Sequence, residues 1–156
     1  MVQELLDLGG DVVLVDGPDL PARVAKAVGA APVKLGIDAV AGAATQRIAE
    51  CLAPGSTVVS YGSMTNQRCE LDFYLMFNRD IRLLGLAFVR QFAHRTPQQV
   101  RDLYAKLAAL MSRGELVAKI AGVYPLEKVA EACAHAARTG HDREGKIIIG
   151  ISGGSR

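Results

Sequence analysis

The sequence has no tryptophan, and aromatic residues make up only 5% of its 156 positions. A stacking platform for single-stranded nucleic acid would have few rings to build on. Neither sign of charge dominates: 18 Lys and Arg stand against 16 Asp and Glu, a formal net charge of +2. No acidic or basic tail can therefore be the chain's main business. Half of the residues are apolar, whereas a disordered chain needs low hydrophobicity and high net charge. No apolar run approaches the roughly 20 residues of a membrane-spanning helix. Neither nucleic acid nor a membrane is expected as a partner.

Cysteine is also scarce. Cys51, Cys69 and Cys133 are odd in number, far apart and without a CxxC pair, which argues against a disulfide framework and a zinc knuckle. They suit a reducing compartment, and a cytoplasmic location is the resulting expectation. The first twenty residues carry Glu4, Asp7, Asp11, Asp16 and Asp19, unlike the basic start and apolar run of a secretory signal. His94, His135 and His141 share no HxxH or HExxH spacing, so no metal site is expected. GxGxxG and GxxxxGK[ST] are both absent, which removes the usual glycine-rich phosphate cradle.

What remains is an alternation of short apolar runs and helical periodicities. Glu4 to Leu8 reads as helix. Asp11–Val15 reads as a buried strand that stops at Asp16-Gly17-Pro18. Leu20, Val24, Ala27 and Val28 recur at helical spacing up to Gly29. A strand within Val33–Val40, a helix over Ala43–Leu52 and a strand over Thr57–Tyr61 follow, with Pro54-Gly55 ending the helix. Leu71–Asn78 holds a turn or two of helix. Ile81–Val89 reads as a strand with Gly85 inside it. Thr96-Pro97-Gln98-Gln99 is a capping box with proline at the first helical position, and an amphipathic helix runs from it to Met111. Val117–Val123, a helix after Pro125, and Lys146–Ile151 complete a strand–helix–strand ending. Residues 140–145 read as a polar loop.

This alternation predicts an α/β fold with a mostly parallel sheet. In such sheets ligands bind beyond the carboxyl ends of the strands. The turns after Val40 and after Tyr61 would then line one crevice, with Gly62 allowing close backbone approach; a plain strand-ending turn is the other reading. Lys146, at the mouth of the last strand, suits either solvent or a phosphate or acyl group. His135 reads as a helix-side histidine with a hydrogen-bond partner. Tyr124 and Lys128 have the YxxxK spacing of short-chain dehydrogenases, but Pro125 biases Tyr124 out of the helix, and the spacing is set aside as coincidence.

The order of these motifs carries a resemblance. Pro32-Val33-Lys34-Leu35-Gly36-Ile37-Asp38-Ala39-Val40-Ala41-Gly42 resembles the fourth-strand segment of the medium-chain dehydrogenase/reductase superfamily. Gly55-Ser56-Thr57-Val58-Val59-Ser60-Tyr61-Gly62-Ser63-Met64 resembles its fifth strand. Asn78-Arg79-Asp80-Ile81-Arg82-Leu83-Leu84-Gly85-Leu86-Ala87-Phe88 resembles its sixth, and Pro125 to Ile149 resembles its ending. The nearest branch is the zinc-free one, the NADPH-dependent 2-enoyl thioester reductases and quinone oxidoreductases.

The resemblance implies a partial Rossmann-like domain over residues 1–113, lacking the glycine-rich first strand, turn and helix. It implies a catalytic-domain segment over 114–151 and a tail over 152–156. It further implies a piece of an NADPH-dependent oxidoreductase that reduces an activated carbon–carbon double bond and is inactive alone. A non-catalytic α/β dimerisation or regulatory module on the same fold is the alternative. Cofactor contacts are implied for Tyr61, Gly62, Ser63, Met64, Ala87, Phe88, Val89 and Lys146. No catalytic residue is implied, because the family's tyrosine donor belongs to another domain. Implied partners are a second copy, paired along Leu83–Phe88, and a chain supplying the remaining half.

Overall fold

The computed structural model describes residues 2–138 and 145–151. The polar loop expected at 140–145 falls almost wholly outside these residues, as do His141 and the tail. The chain forms two compact units, Met1–His94 and Arg95–Arg156.

In the first unit, α1 (Val2–Asp7) and α2 (Leu20–Val28) precede β1 (Leu35–Asp38), α3 (Ala43–Cys51), β2 (Thr57–Ser60), α4 (Phe73–Arg79), β3 (Arg82–Gly85) and α5 (Phe88–Ala93). The three strands form a parallel sheet in the order β1-β2-β3. Each crossover is a short helix, as parallel neighbours require. Two register rows follow: Gly36, Val58 and Leu83 lie side by side, and so do Ile37, Val59 and Leu84. Alternation sends these rows to opposite faces.

The first row packs into the core, where Ala49, Leu52, Val58, Leu75 and Ile81 cluster with Ile48, Leu71 and Leu83 around them. Gly36 has no side chain because Ile48 of α3 occupies that space; an added Cβ would stand 2.4 Å from its Cγ2. The second row is open, with Ile37 63% and Leu84 55% exposed.

Helix ends follow local chemistry. Asp72 caps α4 by accepting a hydrogen bond from the Tyr74 amide at 2.6 Å. Asp80 ends it in the left-handed conformation at φ 48°. Arg79 donates to the carbonyl of Leu52, tying α4 to the end of α3.

The second unit contains α6 (Pro97–Ser112), β4 (Ile120–Pro125), a 3-10 turn (Leu126–Lys128), α7 (Val129–Ala136) and β5 (Lys146–Gly150). The Thr96–Gln99 capping box forms as the sequence predicts. β4 and β5 pair in parallel, with α7 packed on both strands and Ala132 buried. The mixed α/β architecture with parallel sheets is thus the predicted one.

Two expectations are corrected. Val12–Val15 is not a strand; it joins no ladder among the described residues. Its apolar residues satisfy a strand pattern, but a strand needs a partner to receive its backbone hydrogen bonds. The segment is held by arginines instead. Arg23 donates to the Val15 carbonyl at 2.7 Å, and Arg47 grips the Asp16 carboxylate with two bonds of 2.7 and 2.6 Å. The Arg47 guanidinium holds the Asp16 carboxyl below the usual carboxylate range.

The second correction concerns Ile81–Val89. The strand stops at Gly85, and Phe88 and Val89 open α5. Among the described residues β3 pairs with β2 on one side only, so its length is limited to that of β2. Beyond Gly85 the Leu86 amide donates to the Ser60 carbonyl, and the chain then turns into helix.

Candidate functional site at the carboxyl ends of the strands

The parallel register places Asp38, Ser60 and Gly85 side by side at one end of the sheet. The turns that leave β1, β2 and β3 therefore emerge together. Of the residues expected at a cofactor site, Tyr61, Gly62, Ser63, Met64, Ala87, Phe88 and Val89 all lie on the segments leaving β2 and β3. Tyr61 is 55% exposed and Met64 82%. Ala87 is the N-cap of α5. Phe88 and Val89 are also exposed, and the Phe88 ring packs on Phe92 at 5.2 Å. A Cβ added at Gly85 would meet nothing within 4 Å, so the sheet end beside these turns is open. Lys146 begins β5 in the second unit, exposed.

The β1 turn is built on Asp38, a carboxylate only 1% exposed. It accepts hydrogen bonds from the Thr45 hydroxyl at 2.6 Å and from the backbone amides of Val40 at 2.8 Å and Ala41 at 3.2 Å. Burial pushes this carboxyl up. The bonds from Thr45, Val40 and Ala41 more than reverse that, and Asp38 titrates below its ordinary value. The turn passes through Ala41 at φ 67° and Gly42 at φ 62°, ψ −144° before α3 begins.

The β2 turn lies against it. Tyr61 donates its amide to the Asp38 carbonyl at 2.9 Å, Met64 to Ala39 at 3.0 Å and Thr65 to Val40 at 3.1 Å. The Thr65 hydroxyl adds a second bond to the Val40 carbonyl at 2.7 Å and accepts from the Gln67 amide at 3.3 Å. The two turns thus line one place, as the sequence predicts. A Cβ at Gly62 would sit 3.1 Å from the Ala39 carbonyl oxygen. The neighbour that requires glycine here is this backbone.

Sequence reasoning missed the carboxylate at the root of the site. Asp38 followed by an amide two residues on is an Asx-turn signal, but nothing in the sequence announces Thr45 as its partner. Thr65 and Gln67 carry no motif. His135 has its partner: the Tyr124 hydroxyl and His135 Nδ1 are 2.8 Å apart, with the rings edge to face. That pairing accounts for Tyr124 without the YxxxK spacing.

A family described as zinc-binding dehydrogenase matches residues 8–149. The chain belongs to that family. Its curated relatives place it near the enoyl reductase branch of the medium-chain dehydrogenase/reductase superfamily. The mitochondrial enoyl-[acyl-carrier-protein] reductase of Caenorhabditis elegans is 32% identical over 117 residues, 74% of this chain and 33% of that protein. The mouse enzyme of the same name is 26% identical over 133 residues, 85% of this chain and 36% of that protein. The chain thus spans about a third of the length of these relatives.

Among solved structures, an NADPH:quinone reductase of Bacillus thuringiensis superposes with TM-score 0.78 at 18% identity, over 93% of this chain and 44% of that one. The Etr1p/Etr2p heterodimer, a mitochondrial 2-enoyl thioester reductase of Candida tropicalis, superposes with TM-score 0.72 at 18% identity, over 86% and 40%. At these identities the structures show the shared fold.

The relatives correct one expectation. Curated proteins similar to this chain are named as mitochondrial, against the cytoplasmic location read from the cysteines. Scarce, unpaired cysteine reports a reducing environment and does not distinguish one such compartment from another. The family's zinc does not fit either: no three His, Cys, Asp or Glu side chains converge among the described residues.

Proposed function

We propose that this chain is the nicotinamide-side portion of an NADPH-dependent reductase of activated carbon–carbon double bonds, with an enoyl thioester or quinone-like substrate. The observation that carries this reading is the joint emergence of the β2 and β3 turns, exposed and adjacent, at the carboxyl end of a parallel sheet. The resemblance and the enoyl reductases among the relatives give it its chemistry. On this reading residues 1–113 derive from the nucleotide-binding domain and 114–151 from the catalytic domain, and a mitochondrial setting follows the relatives.

NADPH, when bound, supplies the hydride that goes to the β-carbon of the substrate, and a proton is added beside the carbonyl. The chain's part is orientation. The Tyr61–Met64 backbone would hold the nicotinamide amide, and Ala87, Phe88 and Val89 would wall the ring. Lys146 enters on resemblance alone. With no GxGxxG cradle in the sequence the chain binds the cofactor weakly, and with no catalytic acid assigned to it, it turns nothing over by itself.

The test is titration of NADPH with the purified chain, followed by cofactor fluorescence; with no tryptophan, indole emission is absent. Saturable binding without reduction of an enoyl thioester or a quinone is the expected result. No fluorescence change up to millimolar protein would sink the cofactor assignment. Turnover by the chain alone would sink the claim that the acid lies elsewhere.

A second copy is the proposed partner; of the expected Leu83–Phe88 edge only the part up to Gly85 is strand, because Phe88 belongs to α5, so pairing would run along β3. β3 has one free edge, and Leu84 and Leu86 are exposed; such an edge invites strand addition. Sedimentation at low micromolar concentration should give twice the 16.6 kDa chain mass, and a clean monomer would count against it. The same edge favours the alternative, a non-catalytic dimerisation module. A dimer that leaves NADPH fluorescence unchanged would select that reading. A further chain supplying the remaining part of the family's fold is compatible with either.

A further inference from the structure

We propose that Thr65 is the positioning residue of the Tyr61–Met64 wall, clamping it to the turn that Asp38 organises. The inference rests on the cofactor reading above and adds a residue that contributes nothing to the wall itself.

The geometry is a relay of hydrogen bonds running from buried to exposed. Its root is the Asp38 carboxylate, which holds the amides of Val40 and Ala41 and is itself fixed to α3 through Thr45. With those amides held, the carbonyls of Ala39 and Val40 are presented to the β2 turn. Met64 and Thr65 take them through their amides. Backbone bonds of this kind are open to any residue. The side-chain bond is not: the Thr65 hydroxyl donates to the Val40 carbonyl at 2.7 Å, the shortest link between the two turns. The same oxygen accepts from the Gln67 amide at 3.3 Å. One hydroxyl therefore closes the β2 turn on itself and fastens it to its neighbour.

The wall needs such a fastening. Tyr61 and Met64 are exposed and bury little apolar surface to hold them. The Ser63 hydroxyl donates to the Gln67 carbonyl at 3.2 Å, within its own turn. A Cβ added at Gly62 would stand 3.1 Å from the Ala39 carbonyl oxygen, so the two turns run close together where the wall begins. A binding surface held loosely loses affinity because ordering it must be offset on each binding event.

The experiment compares the full chain with Thr65→Val, which keeps the shape and removes the hydroxyl, and Thr65→Ser, which restores it. Amide hydrogen exchange is read at Tyr61, Met64 and Gln67, and NADPH affinity by fluorescence. Thr65→Val should speed exchange at Gln67 and Met64 several-fold and weaken NADPH binding about fivefold, the loss of one hydrogen bond. The melting temperature should stay nearly unchanged, and Thr65→Ser should recover both readouts. Unchanged exchange in Thr65→Val, or no recovery in Thr65→Ser, overturns the proposal. If no variant binds NADPH, the cofactor reading fails, and the exchange rates alone decide the clamp. If exchange rises while wild-type and Thr65→Val affinities stay equal, the clamp plays no part in positioning the wall and the proposal falls.

Discussion

Asp38→Ala should destabilise the chain by about 3 kcal/mol, measured by urea unfolding at neutral pH. Three donors lose their acceptor at once: the Thr45 hydroxyl, buried to 0% exposure, and the Val40 and Ala41 amides. A buried donor left unsatisfied costs about 1–3 kcal/mol, and the three share one acceptor group, with the Val40 amide only part-buried, so their costs do not simply add. Asp38→Asn should fall between the two, because one carbonyl oxygen remains to accept.

The pH dependence has a definite sign. The folded carboxyl titrates below its ordinary value, so the native state binds fewer protons there than the unfolded chain. Its stabilisation is complete above the unfolded value, about 3.9, and is lost as pH falls through the lower, folded one. Asp16, depressed by Arg47, acts in the same direction. Unfolding midpoints between pH 7 and pH 3 should therefore fall less steeply in Asp38→Asn than in the wild type. Parallel curves would show that the charge of Asp38 is not what holds the turn.

Gly42→Ala should cost as much, for a different reason. At φ 62°, ψ −144° the backbone lies where only glycine is comfortable, and the strain on an L side chain is about 1–3 kcal/mol. The added methyl would also stand 2.3 Å from Gln67 Oε1. The Gln67 side chain can swing away, but Gln67 belongs to the β2 turn. Gly42→Ala should therefore lower the melting temperature and weaken NADPH binding together. Calorimetry and the fluorescence titration check this. A variant as stable as the wild type would mean that the turn can be rebuilt around alanine.

The elements that the sequence predicted best are those whose ends carry their own signals. Thr96 and Gln99 announce α6, Leu20-Pro21 and Gly29 bracket α2, and Pro54-Gly55 closes the segment after α3. The misreadings lie where identity depends on a neighbour. Val12–Val15 has a strand's residues and no partner, and Phe88-Val89 has strand-forming residues but lies beyond the end of β2. The candidate site divides in the same way. Its position at the strand ends follows from fold class. Its construction depends on Asp38 reaching Thr45, seven residues away, and on Thr65 reaching Val40, across 25 residues. The first pairing arises from the turn between β1 and α3, the second from the register of β1 and β2, and no local pattern records either.

The sheet order repeats the chain order, β1, β2, β3. Each strand is laid beside the one made just before it, so every new strand leaving the ribosome finds its template already in place. None must be held open for a later insertion between two earlier ones. Contacts of short sequence span close quickly, and N-terminal segments are the first to be available. The cradle of Asp38, Thr45 and Thr65 can therefore close once residue 65 has left the ribosome, before β3 has emerged to join it.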